Sequence, residues 1–503
     1  MSQITGNLFR FKDDHAYERL RNVFGIAGYN DGNILETLGV KNFPSIRGTD
    51  VPLLMRRTEQ QSALNTLIRL FLMEVPVSMT AAKRAFDSEG LSACTSAGLL
   101  LESGGEVIAR IKILPFKGLL VAFDQNRMLL SAEKARYVMG IGASSLTLAN
   151  LTIRKHAGRT LDLGTGCGIQ ALLAAQHSDR VIASDKNPRA AGLAAFNARL
   201  NGLGHLHCLV GNLFEPFCKH QFDLIVTNPP FVISPETRYI YRDGGMPADH
   251  ICRTIVREVP KFLTDGGYCQ MLCNWAETAD NPWEERLREW FDGTGCDVWV
   301  LRSESRDAAT YADTWIRHTE PGIGPEAFAE RFDAWMQYYR TQGIEAVSAG
   351  LITMKREAGK LNHFRAEDGP EKMIGPCGKD IQLGFSLRNF LSSIRNNNEL
   401  FETMFQIAPH VRLVREAVPG ETGWTDESFQ LQLTQGLAYK GNVDPFVANL
   451  VVGCNGKQPL KTLLAQMATQ LGVDAPEKIA EPVSGVVREL VARGFLLPGP
   501  IND

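Results

Sequence analysis

The sequence lacks the long apolar segments and metal-ligand clusters that mark membrane proteins and zinc domains. No apolar run approaches the ~20 residues that span a bilayer, and the first residues lack the basic-then-apolar pattern of a signal peptide. The 10 cysteines include no C-x-x-C pair and no His/Cys cluster at zinc spacing. We therefore expect a cytoplasmic protein with reduced thiols, no bound metal and no membrane association.

An excess of basic charge is also missing. Lys and Arg number 53 against 56 Asp and Glu, which gives a formal net charge of −3. Proteins that grip long stretches of phosphate backbone usually show a strong basic patch. None is visible in the linear sequence, although residues that are distant in sequence can cluster in space. A length of 503 residues with 44% hydrophobic side chains indicates a globular protein of roughly two to four domains.

The most informative stretch is LDLGTGCGIQ, from Leu161 to Gln170. A short apolar run ends in glycines at positions 164, 166 and 168, and an apolar helical pattern follows. This order predicts a strand, a tight turn and a helix. Glycines in the turn let the backbone approach a ligand closely, because a Cβ atom would be in the way.

Three further apolar runs end in residues suited to a ligand site. VIASD ends at Asp185, HLHCLVGNLF turns at Asn212, and FDLIVTNPPF ends in residues 228–231. An acid placed like Asp185, about 20 residues after a glycine turn, hydrogen-bonds ribose hydroxyls in doubly wound folds. Open α/β sheets bind ligands at the carboxyl ends of their strands, so the four runs predict one site.

The set DLGTGCG, ASD, GNLF and NPPF resembles the class I S-adenosylmethionine-dependent methyltransferases, in particular the small-domain group with an [N/D]PP[F/Y] motif. That group includes enzymes that methylate exocyclic amines of RNA or DNA bases, and protein-(glutamine-N5) methyltransferases. The resemblance covers about residues 130 to 357. It implies an α/β fold with a seven-stranded, doubly wound (Rossmann-like) sheet, and S-adenosylmethionine as the cofactor.

The resemblance also assigns residues to the cofactor. Asp185 would bind the ribose hydroxyls; the alternative is a simple helix N-cap, since Lys186-Asn187-Pro188 begins a new helix. The glycine turn would wrap the methionine end, and residues 212 and 213 would border the adenine. The full set implied for the cofactor is Asp162, Gly164, Thr165, Gly166, Gly168, Asp185, Asn212 and Leu213.

The NPPF motif is expected to carry the chemistry. An sp² amino nitrogen is a poor nucleophile, because its lone pair is delocalised into the ring or carbonyl. The side-chain oxygen of Asn228 and the carbonyl of Pro229 would accept its two hydrogens. Pro230 would keep the turn rigid, and Phe231 would stack on the planar group. The alternative is a Pro-Pro turn that only closes the strand.

Two further units flank this region. Residues 1–130 show helical patterns followed by strands around Pro115 and Gly118, and residues 358–503 mix strand-like and helical segments. Both patterns predict winged-helix-like α+β modules on either side of a methyltransferase domain at residues 131–357. Such modules bind nucleic acid or serve in protein docking and dimerisation, and the sequence leaves both roles open.

Two segments beside the motifs have alternative interpretations. Residues 131–154 would cover the cofactor, with Tyr137 and residues 144–146 near it, or would form an ordinary covering helix. After NPPF, Arg242 and Asp243 would either touch the substrate or form a surface salt bridge.

These features predict an S-adenosylmethionine-dependent N-methyltransferase that acts on a planar exocyclic amino group. The favoured target is an RNA base, in particular of ribosomal RNA, so the partner is a macromolecular substrate. A protein glutamine side chain is the alternative target. A third possibility, from another class, is an inactive cofactor-binding or docking protein, which the intact glycines and the intact NPPF motif disfavour.

Overall fold

A computed structural model describes residues 9–43, 46, 48–236, 238–320, 322–359, 361–421, 423–470 and 477–499. The chain divides into two compact units. One comprises Met1–Ala149 and Lys155–Glu367, and the other comprises Asn150–Arg154 and Asp368–Asp503. The N-terminal residues therefore share one unit with the region of the four motifs. The domain boundaries at residues 130 and 357 stay a prediction.

The elements of the described chain are as follows. The helices are α1 (Asp14–Ile26), α2 (Asp31–Leu38), α3 (Val51–Arg57), α4 (Ala63–Phe71), α5 (Met79–Ala85), α6 (Ser88–Ser96), α7 (Ala143–Leu151), α8 (Ile169–Ala174), α9 (Pro188–Leu200), α10 (His250–Glu258), α11 (Trp283–Phe291), α12 (Ala308–Thr319), α13 (Pro325–Gln342), α14 (Gly378–Ser393), α15 (Asn397–Glu402), α16 (Pro445–Gly453), α17 (Leu460–Gln470) and α18 (Glu477–Ala492). The strands are β1 (Val77–Ser78), β2 (Leu100–Ser103), β3 (Glu106–Ala109), β4 (Lys112–Phe116), β5 (Leu119–Phe123), β6 (Ala157–Leu163), β7 (Ser178–Asp185), β8 (Leu206–Val210), β9 (Phe222–Thr227), β10 (Leu263–Glu277), β11 (Cys296–Asp307), β12 (Ala346–Arg356), β13 (Phe364–Asp368), β14 (Met373–Ile374), β15 (Met404–Ile407), β16 (Val411–Gly420), β17 (Gly423–Leu433), β18 (Gly436–Leu437), β19 (Lys440–Val443), β20 (Asn455–Pro459) and β21 (Leu496–Pro498).

The central sheet of the first unit has the order β13-β11-β12-β10-β9-β6-β7-β8. The strands from β10 to β8 pair in parallel, whereas β12 pairs antiparallel with both β10 and β11. The sheet has eight strands rather than the predicted seven, because β13 adds an edge strand. β13 is only five residues long and half-buried, so it carries little of the apolar pattern that predicts a strand. The fold is thus mixed α/β with a large, mostly parallel sheet.

The N-terminal part differs from its predicted elements. The apolar pattern predicts a helix over 91–101, but α6 ends at Ser96 and β2 begins at Leu100. β2 pairs with β3 across Gly104 and Gly105, both of which have positive φ (59° and 82°). The left-handed backbone of these glycines permits the tight hairpin. Helices followed by this hairpin agree with a winged-helix-like order, and that identity stays a prediction.

Two asparagines, Asn197 in α9 and Asn201 just after it, attach the hairpin β4–β5 to this helix. Asn197 accepts from the backbone of Ala122 at 2.8 Å and donates to its carbonyl at 2.9 Å. Its amide also donates to the carbonyl of Cys167 in the glycine turn at 2.8 Å. Asn201 repeats the pair on Leu120, at 2.9 and 2.8 Å. The N-terminal part is therefore joined to the glycine turn through buried hydrogen bonds.

Replacing Asn201 with alanine is expected to lower the free energy of unfolding by about 1–2 kcal/mol, because the backbone groups of Leu120 lose their partners. Urea denaturation measures the change. Asn397→Ala is the control, since that side chain makes a solvent-exposed hydrogen bond to Glu481 and its loss should change stability much less. Equal stability of Asn201→Ala and the parent would show that water replaces both bonds at no cost.

The second unit contains a small sheet, β20-β15-β21, and a ribbon, β16-β17-β19. The segments predicted as strand-like and helical lie in β17 and in α16 to α18. The sequence pattern missed β16, most of which is exposed, because a strand without a buried face shows no apolar alternation. A winged-helix identity for this unit stays a prediction.

Candidate functional site

The four motifs lie at the carboxyl ends of four adjacent strands, β9, β6, β7 and β8. In the sheet register Leu163 is opposite both Ser184 and Thr227, and Asp185 is opposite Val210. The strands therefore end level with one another. Because carboxyl ends of parallel strands form the ligand edge of such sheets, this is the candidate site.

The glycine turn leaves open space on one side. Gly164 and Gly166 have φ of 71° and 57°, and a Cβ atom at either would meet no other described atom within 4 Å. At Gly168, with φ of 88°, a Cβ would lie 3.1 Å from the Cβ of Ala194 on α9. The first two glycines thus keep backbone accessible to a ligand, and the third permits close packing of the turn on α9.

The buried side chain of Asp162 holds the glycine turn by hydrogen bonds from inside the protein. It is buried, and its Oδ2 accepts hydrogen bonds from the Thr165 hydroxyl at 2.5 Å and the Ala171 amide at 2.9 Å. Burial raises the pKa of the Asp162 carboxyl to about 7, although both hydrogen bonds act in the opposite direction. Asp162 and Thr165 thus bond to each other across the turn, and Asp162 has almost no exposed surface for a ligand.

The raised pKa of Asp162 makes stability depend on pH. Folding favours the protonated carboxyl, so its contribution is fully present below the ordinary pKa of 3.8 and is lost as pH rises through about 7. Asp162→Asn keeps an acceptor for Thr165 and Ala171 without ionising. We expect its unfolding free energy to fall less than that of the parent between pH 4 and 8, measured by urea denaturation. Parallel pH profiles for the two proteins would contradict this expectation.

Asp185 joins the glycine turn to the end of β7. Its Oδ2 accepts from the Gly166 amide at 2.9 Å, and its Oδ1 accepts from the Asn187 amide at 2.8 Å. The N-cap of α9 is Asn187, whose side chain accepts from the Arg189 amide at 3.0 Å. The alternative that Asp185 is only a helix cap is therefore wrong. Burial raises the pKa of the Asp185 carboxyl above its usual value, although the hydrogen bonds from the two amides act in the opposite direction.

The residues after β8 lie beside Asp185. The Gly211 amide donates to the Asp185 carbonyl at 3.0 Å. Asn212 is exposed, and its side chain bonds to Glu215 at 2.9 Å. Leu213 has a φ of 45°, which is uncommon for a residue with a Cβ and directs the chain sharply after the strand. The adenine contacts implied for these two residues stay a prediction.

The two polar atoms of the Asn228 side chain differ in their hydrogen bonding. Its Nδ2 donates to the Ser144 hydroxyl at 3.2 Å. Its Oδ1 is buried and has no hydrogen-bond partner among the described residues. A buried acceptor without a partner costs roughly 1–3 kcal/mol, so this oxygen is suited to receive a donor from a ligand. Pro229 is buried, whereas Pro230 and Phe231 are half-buried at the same edge.

The segment before β6 covers this edge. Tyr137 is buried and packs edge-on against Tyr241, with 5.7 Å between ring centroids. Ser144 bonds Asn228, and the carbonyl of Ser145 accepts from Gln170 on α8 at 2.9 Å. Residues 137–145 therefore contact both the NPPF motif and the helix after the glycine turn.

Arg242 and Asp243 form a salt bridge in the interior rather than on the surface. Both are buried, and the Arg242 guanidinium makes a two-point pair with Asp243 at 2.6 and 3.1 Å. It also bonds Glu236 at 2.9 Å and Thr319 at 2.9 Å. The predicted salt bridge is therefore present but buried rather than on the surface, and a contact of either residue with the substrate stays a prediction. The linear sequence cannot indicate this, because Thr319 is distant in the chain.

Two residues that contact the backbone just after the NPPF motif were not predicted from the sequence. They are Tyr311 on α12 and Tyr339 on α13, whose hydroxyls bond the backbone of Ile233. For Tyr339 the only sequence signal is the row of aromatic side chains along α13. Such a row predicts packing in general rather than this contact.

The described residues, with the gaps given above, contain no group of His, Cys, Asp and Glu side chains arranged to hold a metal ion. In that same part of the chain no helix is both long and apolar enough to cross a bilayer.

Three family models match the chain. The one described as "Methyltransferase small domain" matches residues 141–294, which contain all four motifs. Two others, described as domains of unknown function, match residues 26–110 (DUF7059) and 384–498 (DUF7782). The methyltransferase match and the candidate site thus coincide.

Parts of the chain are similar to proteins of named function. The chain is 36% identical over 148 residues to the ribosomal protein uL3 glutamine methyltransferase of Bradyrhizobium diazoefficiens, covering 27% of this chain and 46% of that protein. It is 29% identical over 152 residues to the tRNA1(Val) (adenine(37)-N6)-methyltransferase of a Flavobacteriaceae bacterium, covering 28% and 63%. The chain thus spans about half the length of the curated relatives it matches.

A third relative is covered more fully. The chain is 32% identical over 136 residues to a Methanocaldococcus jannaschii protein provisionally named a protein N5-glutamine methyltransferase, covering 26% of this chain and 68% of that protein. The small-domain match includes the glycine turn, Asp185 and the NPPF motif. The chain belongs to the class I S-adenosylmethionine-dependent methyltransferases with a methyltransferase small domain.

Proposed function

We propose that this protein transfers a methyl group from S-adenosylmethionine to the side-chain amide nitrogen of a glutamine in a protein. The observation that carries the proposal is the buried, unpartnered Oδ1 of Asn228 at the end of β9. A planar NH₂ group supplies the hydrogen-bond donor that this oxygen lacks. The proposal changes the order of the two targets inferred from the sequence, where an RNA base comes first.

The residues around the glycine turn fit the cofactor. Gly164 and Gly166 leave open space over the backbone, and each oxygen of Asp185 accepts one hydrogen bond, which leaves further lone pairs for ribose hydroxyls. Asn212 and Leu213 would border the adenine. S-adenosylmethionine, when bound, supplies an electrophilic methyl group on a sulfonium. Thr165 and Asp162 would shape the turn rather than contact the cofactor.

The NPPF residues would activate the acceptor nitrogen by holding its hydrogens. The oxygens of Asn228 and Pro229 accept one hydrogen each, which favours a pyramidal nitrogen with an available lone pair. Phe231 packs on the planar group, and the two prolines keep the acceptors rigid. A strong general base is not required, because the nitrogen becomes acidic once it is alkylated. The chain's contribution is therefore alignment and fixed hydrogen-bond acceptors.

A protein glutamine is favoured over a base by two observations. The relatives in Bradyrhizobium and Methanocaldococcus are named for glutamine methylation. The chain also carries a net charge of −3, without the basic excess usual for proteins that hold a phosphate backbone. A base in RNA is the second candidate, supported by the relative named for adenine N6 methylation. Asn228 and Phe231 suit either planar group.

The flanking regions and the location belong to the same proposal. Winged-helix-like modules at residues 1–130 and 358–503 would select the macromolecular substrate, because the motifs themselves do not distinguish an amide from a base. The reaction would take place in the cytoplasm.

Methyl transfer into cell fractions tests the proposal. The purified full-length chain is incubated with methyl-labelled S-adenosylmethionine and with protein or RNA from cells that lack it. We expect label that survives nuclease and is released by protease, and acid hydrolysis should yield methylamine from N5-methylglutamine. Label that survives protease and is released by nuclease would establish the base instead. Cofactor binding without label in either fraction would indicate an inactive binding protein.

A further inference from the structure

The helices α12 and α13 form an insertion between two strands that are neighbours in the sheet. β11 ends at Asp307 and β12 begins at Ala346, and these two residues are opposite each other in the antiparallel pair. Antiparallel neighbours need only a short hairpin turn to connect them. The helical pair is therefore not required by the topology, and its role must lie in what it contacts.

The insertion holds both backbone polar groups of Ile233, two residues after Phe231. The Tyr339 hydroxyl donates to the Ile233 carbonyl at 2.8 Å, and the Ile233 amide donates to the Tyr311 hydroxyl at 3.3 Å. The same Tyr311 hydroxyl accepts from the Asn274 side chain on β10 at 2.7 Å. The backbone after the NPPF motif is thus connected to a central strand through the insertion.

Side chains strengthen this attachment. Val232 and Ile233 share one buried cluster with Trp335 and Tyr339, and Phe231 packs against that cluster. In the chain that follows Ile233, Glu236 pairs with Arg331 of α13 at 3.5 Å and Arg242 bonds Thr319 of α12 at 2.9 Å. Apolar packing, hydrogen bonds and an ion pair therefore all join the segment to the insertion.

We infer that α12 and α13 are a positioning device for the methyl-acceptor pocket, in which Tyr339 and Tyr311 are positioning residues that act on Phe231 through Ile233. The inference rests on the proposed role of the NPPF motif. In-line transfer requires the acceptor nitrogen to be aligned, and a displacement of about 1 Å costs on the order of 100-fold in rate. Phe231 is only half-buried, so its position depends on the backbone that follows it.

Tyr339→Phe in the full-length chain tests the inference, because it removes one hydroxyl and keeps the ring. Tyr29→Phe is the matched control, since the buried Tyr29 hydroxyl donates to a backbone carbonyl, that of Ile113, at 2.7 Å in the N-terminal part. Both variants lose one buried hydrogen bond and should lose similar stability. We expect Tyr339→Phe alone to lower the rate of methyl transfer into the protein fraction by about tenfold, at unchanged affinity for S-adenosylmethionine.

Hydrogen exchange gives a readout that does not depend on activity. Peptides covering residues 228–236 should exchange faster in Tyr339→Phe than in Tyr29→Phe or the parent. Unchanged exchange there, or a transfer rate within twofold of that of Tyr29→Phe, would overturn the positioning role. If the parent labels no fraction, the proposed function fails, and the exchange comparison still decides whether the insertion holds the segment.

Discussion

Asn228→Ala is expected to lower the rate of methyl transfer severely while the affinity for S-adenosylmethionine stays unchanged. The variant removes the buried Oδ1 that has no partner among the described residues and loses the bond to Ser144. An acceptor aimed at a reacting group contributes mainly in the transition state, so turnover should fall by roughly 100- to 1,000-fold. Because the parent structure leaves this oxygen unsatisfied, its removal should cost little stability.

The measurement combines initial rates of labelled methyl transfer with calorimetric titration of the cofactor. Asp179→Ala is the control, because that exposed side chain bonds His156 near the start of β7, at the opposite end of the strand from the candidate site. Its transfer rate should remain within a few-fold of the parent. Turnover of Asn228→Ala in that same range would show that NPPF is only a turn that closes β9. A parallel loss of cofactor affinity would place Asn228 in the cofactor site instead.

The carboxyl edge of the sheet could be predicted because its signals are local. The strands β6 and β9 are apolar runs followed at once by glycines or by Asn-Pro-Pro, so strand, end and polar residue lie within about ten positions of one another. The parallel order then brings the ends together without any knowledge of side-chain contacts. The edge strand β13 was not predicted, because its five residues are half-buried and show no clear alternation of apolar and polar side chains.

The contacts between distant segments could not be predicted. Tyr339 bonds a residue 106 positions earlier, and Asn201 bonds one 81 positions earlier. No periodicity relates such pairs. Arg242 shows the same limit, since a charged residue usually lies on the surface. Only the fold reveals that Asp243, Glu236 and Thr319 surround its guanidinium.

Asp185→Ala is expected to weaken binding of S-adenosylmethionine by roughly 1.5–3 kcal/mol, the scale of hydrogen bonds to a charged group. This corresponds to about a ten- to 150-fold rise in Kd, measured by calorimetric titration. The substitution also frees the amides of Gly166 and Asn187, which Asp185 holds at 2.9 and 2.8 Å. Asp179→Ala is the control on the same strand, since that exposed side chain bonds only His156.

A direct contact between Asp185 and the ribose can be separated from an effect through the loosened turn. S-adenosylhomocysteine and its 2′-deoxy and 3′-deoxy analogues are titrated into the parent and into Asp185→Ala. If the carboxylate binds a hydroxyl, removing that hydroxyl weakens binding to the parent but hardly to the variant, so the two losses are not additive. If Asp185 only orders the glycine turn, the loss for each analogue is the same in both proteins. If Asp185→Ala binds S-adenosylhomocysteine as tightly as the parent protein does, Asp185 is not part of the site.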